Sequence, residues 1–154
     1  MESYYQIKDL ENGSVSSTKA PIKNRHPPLK GLWHKHYLES GMKAVAMNVD
    51  RGLKKYGIPY FEQRIKEAPE AGEERYLSEE DIPALVDSVV SGNWQRLSEE
   101  KTLTGEWIIF AKYEGKNYYL CLATHDKASH EYMRQNIDKV CCVEFPFLVD
   151  LLEQ

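Results

Sequence analysis

The strongest constraint on this chain lies between Gly105 and Thr124. The run Gly105-Glu106-Trp107-Ile108-Ile109-Phe110-Ala111-Lys112-Tyr113 is rich in aromatic and β-branched residues. Glu114-Gly115-Lys116-Asn117 interrupts it, and Tyr118-Tyr119-Leu120-Cys121-Leu122-Ala123-Thr124 follows. Two such runs around a Gly-containing turn read as an antiparallel hairpin. Both are nearly continuous in apolar residues, so both faces of the hairpin need cover.

The cover is expected from helices. Between Leu32 and Tyr56, the residues Trp33, Tyr37, Val45, Val49, Leu53 and Tyr56 recur at helical spacing. Ser40-Gly41 breaks this stretch into a short helix and a longer one from Met42 to Lys55, which Gly57 and Pro59 terminate. Tyr60 to Ala68 reads as another short helix, and Pro69-Glu70-Ala71-Gly72-Glu73-Glu74 as an acidic loop. Ser78, followed by Glu79, Glu80 and Asp81, caps a helix with acids in its first turn. That helix buries Ile82, Leu85, Val86 and Val89 and ends at Gly92. Asp126 caps one that runs to Ile137, and Val140-Cys141-Cys142-Val143-Glu144-Phe145 reads as a strand. The fold class that follows is α+β, with N-terminal helices packed on a small antiparallel sheet containing a 106–124 hairpin. Residues 1–28, polar and turn-rich, read as a poorly ordered arm, and 29–154 as a single domain. At 154 residues one core is feasible, since a domain of about this size buries roughly 70% of its unfolded surface.

Charge is distributed unevenly. From Lys19 to Lys66 eleven Lys/Arg face three Asp/Glu, whereas from Glu67 to Glu106 the numbers are reversed. The net charge of −4 hides a basic block followed by an acidic one, a pattern that implies one anion-seeking face or two blocks that neutralise each other. No apolar stretch reaches the roughly 20 residues of a membrane span, so no membrane association is expected. The N-terminus lacks the basic-then-apolar pattern of a secretory leader. Three cysteines, two of them adjacent, make a poor disulfide framework. They read as buried thiols of a cytoplasmic protein.

The chain contains no P-loop, G-x-G-x-x-G, G-x-S-x-G or paired C-x-x-C motif. No cofactor is expected. The candidates for chemistry are histidines. His125 leaves a strand end, where a rigid scaffold presents a side chain at a rim, and Asp126 can either orient its ring or cap the next helix. His34 and His36 flank Lys35 between Trp33 and Tyr37. On a helix they point about 200° apart, whereas in an extended chain they share a face. Three imidazoles could in principle bind a metal, but nothing in their spacing requires it, and no metal is expected. Glu106 is a reserve base. Lys30, Lys35 and Arg51 in the basic block are candidates to hold phosphate oxygens. His26 and His130 read as solvated, and Cys141 and Cys142 as alternating across a strand.

Helices followed by an antiparallel sheet with a His at a strand end resemble the barnase/EndoU/colicin/RelE-like ribonuclease superfamily, in its phage-borne and toxin-like branches. The residues that carry the resemblance are Leu32-Trp33-His34-Lys35-His36-Tyr37, Gly105–Phe110 and Tyr118–His125, within about residues 29–145. It implies metal-independent cleavage of RNA, with His125 and His34 or His36 as the acid/base pair and Lys35 or Arg51 on the phosphate. The competing expectation is a non-enzymatic partner-binding protein, such as an immunity protein, an antitoxin-like factor or a phage regulator. Its acidic segment Glu67–Asp87 would face a protein partner.

Overall fold

The computed structural model describes residues 2–38, 41–72 and 77–153. It is an α+β fold around a four-stranded antiparallel sheet ordered β1-β2-β3-β4, formed by Ile22–Lys23, Trp33–Tyr37, Glu106–Tyr113 and Lys116–Ala123. The expected hairpin is β3–β4, turning at Glu114 and Gly115 with positive φ at both. Helices α1 (Glu2–Asn12), α2 (Met42–Tyr56) and α3 (Pro59–Glu70) precede the hairpin. Helix α4 (Ile82–Asp87) passes through a π turn at Ser88–Gly92 into α5 (Asn93–Glu99). After the hairpin come α6 (His130–Asn136), a second π turn, α7 (Cys142–Glu144) and α8 (Phe147–Glu153). Among the described residues no helix is long and apolar enough to cross a membrane.

Several expectations change, among them the buried stripe expected on α4, where Ile82 and Val86 are exposed. Trp33–Tyr37 is a strand and not a helix, because it lies between β1 and β3 and exchanges backbone hydrogen bonds with both. The spacing of Trp33 and Tyr37 fits a helical stripe, but ladder pairing on two sides overrides it. Val140 to Glu144 is helical and Phe145 ends the turn, since Ile137, Cys141 and Phe145 at intervals of four pack on the core while Val140 and Val143 are exposed. The helix expected to stop at Gly92 continues, because Gly92 keeps helical φ/ψ. The segment expected as an arm contributes α1, β1 and Thr18, which is buried and donates its hydroxyl to the His36 carbonyl. Of the acidic loop, Pro69 and Glu70 belong to α3, and Glu73 and Glu74 lie outside the described residues.

Register decides which side chains meet. His34 pairs with Ile109, His36 with Trp107, and Trp107 with Ala123. Directly paired residues point to the same side of a sheet. His34, His36, Trp107 and Ile109 therefore share one face, and Lys35, Glu106, Ile108 and Phe110 share the other. On the first face Ile109, Ala111 and Ala123 meet Leu29, Leu32, Ile137, Leu148 and Leu152 in the main core. On the second face α1 packs on β2, and Glu11 accepts hydrogen bonds from Tyr119 and Asn117.

Helix α2 packs on α5 and locks the entry to β3. The fully buried Asn48 accepts from the Thr104 amide (2.9 Å) and donates to the Thr104 carbonyl (2.8 Å). Gly105 follows directly, and a Cβ there would lie 2.0 Å from the Tyr37 carbonyl oxygen. Only glycine allows β2 and the start of β3 to approach so closely.

Candidate active site

Alternation along β2 puts His34 and His36 side by side, with ring centroids 5.3 Å apart. Trp107 stacks on His34 at 4.0 Å and meets His36 edge-on at 6.0 Å. The turn after β4 brings in His125, 5.7 Å from His36 and 5.4 Å from Trp107. His130, at the start of α6, closes over Trp107 at 4.8 Å. Four histidines thus surround one indole. Among them His125 is exposed, whereas His34, His36 and His130 are buried.

Hydrogen bonds orient the rings. His36 Nδ1 lies 3.0 Å from the Gly105 carbonyl and His34 Nδ1 lies 2.8 Å from Asn24 Oδ1. Asn24 Oδ1 is an acceptor, so the His34 proton is assigned to Nδ1 and its lone pair to Nε2, whereas His36 Nδ1 also lies 3.3 Å from the Gly105 amide and 3.3 Å from Thr104 Oγ1. His130 Nε2 donates to the Thr124 carbonyl at 3.2 Å. Glu106 lies across the sheet edge, and one of its carboxylate oxygens accepts from the His125 amide at 2.7 Å while the other pairs with Lys43. Both oxygens are engaged, and Glu106 holds the backbone of His125. Asp126 accepts from the Ala128 amide, so its carboxylate caps the following turn. Trp107 Nε1 is buried without a hydrogen-bond partner among the described residues. A buried orphan donor calls for a ligand oxygen or water.

The electrostatics are uniform in sign. Burial, reinforced by His125, Lys19 and His130, pushes His34 down to about 4. Burial pushes His36 down to about 3 against the Gly105 hydrogen bond, with Lys19, His34 and His125 adding to it. His125 is lowered by partial burial and then by Lys19. Lys19 is itself lowered, by burial and by Arg51. The rings of His34, His36 and His125 are therefore neutral at pH 7 beside basic side chains that disfavour their protonation. Among the described residues no three His, Cys, Asp or Glu side chains are arranged to hold a metal ion.

Of the residues expected at a site, His34, His36 and His125 come together, with Glu106 behind His125 and Arg51 beside Lys19. Two do not join them. Lys35 points to the opposite face, where its ammonium donates to Ser16 Oγ (2.7 Å), Thr18 Oγ1 (2.7 Å) and the Thr18 and Lys19 carbonyls (3.3 and 2.6 Å). Lys30 lines a separate pocket beyond Asn24. His130 is buried in the cluster and not solvated, and Cys141 and Cys142 sit on helical turns. Sequence reasoning missed Lys19, Trp107 and Asn24. Trp107 was visible as a strand residue, but its neighbours depend on register. Lys19 lies in a Ser/Thr-rich segment with no periodicity to mark it. Comparison with family models, curated proteins and solved structures finds no match to this chain.

Proposed function

We propose that this cluster is the active site of a metal-independent endoribonuclease-like domain of barnase/EndoU/colicin/RelE-like type, acting on RNA phosphodiesters in the cytoplasm in a toxin-like or phage setting. The observation that carries it is the convergence of His34, His36 and His125 on Trp107 within the field of Lys19. The free thiols fit a reducing compartment.

The geometry revises the expected acid/base pair. His34 and His36 are buried and neutral, so neither can supply a proton to substrate at pH 7. The exposed His125 is the base. It takes the proton from a ribose 2′-hydroxyl as that oxygen attacks phosphorus. Lys19, whose pKa burial and Arg51 lower, stabilises the phosphorane with Arg51 and donates a proton to the departing 5′-oxygen as its bond to phosphorus breaks. The products are a 2′,3′-cyclic phosphate and a free 5′-hydroxyl, and solvent then restores both side chains. Trp107 and His36 pack against His125 and hold it in place. The test is incubation of RNA with the protein in EDTA. Cleavage that persists in EDTA and is lost in a folded His125→Ala protein supports the proposal, and no cleavage at all sinks it.

A second reading rests on a different surface. Ile82, Val86 and Val90, at intervals of four, are 53, 54 and 38% exposed beside Glu79, Glu80 and Asp87. Such an acidic, apolar-centred surface suits a basic protein partner, as an immunity or antitoxin-like factor would need. Binding of a cationic amphipathic helix that Val86→Glu abolishes, in a protein that leaves RNA intact, would favour this reading.

A further inference from the structure

Beyond Asn24 lies a pocket of about 530 Å³, within the range of small-molecule sites. Its walls differ in chemistry. Tyr113 and Phe147 form one side, stacked at 4.1 Å with planes 10° apart. Lys23, Arg25 and Lys30 add cationic side chains to the lining, with Asp150 as the carboxylate among the described lining residues. The floor comes from Gly31, where a Cβ would lie 2.5 Å from the Leu151 carbonyl oxygen, so a larger residue would push α8 away. The lip is fixed, since the Asn24 amide donates to the Leu32 carbonyl (2.8 Å) and the Gly31 amide to the Asn24 carbonyl (3.1 Å).

Asn24 links the pocket to the imidazoles. Its Oδ1 holds His34, while its Nδ2 is buried without a hydrogen-bond partner among the described residues. A flat aromatic pair and a set of cationic side chains in one pocket are complementary to a planar base carrying a phosphate. We propose that this pocket binds one nucleoside phosphate, with the base against the Tyr113–Phe147 stack and the phosphate among Lys23, Arg25 and Lys30. Tyr113 is four residues along β3 from Ile109, the partner of His34, or roughly 13 Å at about 3.3 Å per residue. A nucleotide seated here could be free or belong to a strand that also reaches His125. The assignment does not depend on cleavage at His125.

The probes are adenosine 5′-monophosphate, a five-nucleotide single-stranded RNA and inorganic phosphate. Each is titrated by NMR into the uniformly 15N-labelled full chain, with His125→Ala for the RNA arm. The expected result is saturable movement of the Lys30, Tyr113 and Phe147 amide signals with the monophosphate. Arg25→Glu and Lys30→Glu, both exposed and so compatible with folding, should each weaken its binding about tenfold. Tyr113→Ala should do the same with the folded spectrum retained. Binding of the RNA but not of the monophosphate supports the site as a strand subsite. Movement of the same signals by inorganic phosphate at equal affinity would overturn the proposal. So would unchanged affinity in the charge-reversed proteins, or no response to either nucleotide probe. Cleavage can fail in EDTA while these titrations succeed, so the two proposals are separable.

Discussion

The two faces of β2 carry the same kind of residue to opposite ends. On one face the ammonium of Lys35 is buried and surrounded by four oxygen acceptors. On the other, His34 and His36 are equally buried, but each is tied through Nδ1 alone and lies against an indole whose Nε1 has no described partner. A polar group whose hydrogen bonds are all met within the chain holds structure together. The imidazole face instead carries buried rings that pack on Trp107 and place the exposed His125 where it can meet something from outside. Five residues of one strand separate these roles only by the period of two.

That contrast can be broken first at His125. His125→Ala removes the exposed base, and metal-free RNA cleavage should fall about 10²–10⁴-fold with the circular dichroism spectrum unchanged. A loss below threefold would mean that the imidazole face is structural as well. Lys35→Met tests the other face. It leaves four oxygens without their donor and should cost about 1–3 kcal/mol of stability, read from a urea midpoint. Cleavage per folded molecule should not change, and a drop beyond tenfold would put Lys35 in the chemistry.

Acid separates the faces further. His34 and His36 titrate near 4 and 3 when folded and near 6.5 when unfolded. Below pH 6.5 the unfolded chain takes up protons that the folded rings refuse, so stability falls with pH until the folded values are reached. Each ring contributes about 1.4 kcal/mol per pH unit to that slope. Urea midpoints measured between pH 7 and pH 5 should drop less steeply in His36→Gln than in the native chain. Equal slopes would show that His36 titrates normally.

Smaller effects belong to groups that only position. Glu106→Gln keeps an acceptor for the His125 amide but weakens it, so cleavage should fall about fivefold, the equivalent of about 1 kcal/mol in one hydrogen bond. Lys54→Ala breaks an exposed pair with Asp50. It should shift stability by no more than about 0.5 kcal/mol and leave cleavage untouched. A larger effect at Lys54 than at Glu106 would invert the ranking.

The hairpin was legible because apolar runs around Glu114-Gly115 carry a local signal. The length of α2 was legible because Gly57 and Pro59 end it. The strand at Trp33–Tyr37 was not, since its helical spacing and its period of two coexist in five residues and only the flanking strands decide between them. For the same reason the convergence of His36 with Trp107 was hidden, as register is a long-range property. Lys19 was illegible because what matters about it is its position beside β2, set by the Thr18 hydrogen bond to His36 and by the bridge from Thr18 to Leu103.

The most direct measurement of the central claim uses two oligonucleotides that differ at one sugar, a ribose in one and a 2′-deoxyribose in the other, incubated with the protein in EDTA. If His125 draws its proton from the 2′-hydroxyl, only the ribose-containing strand is cut, and the fragment ends in a 2′,3′-cyclic phosphate. Equal cutting of both strands, or cutting of neither, would contradict it.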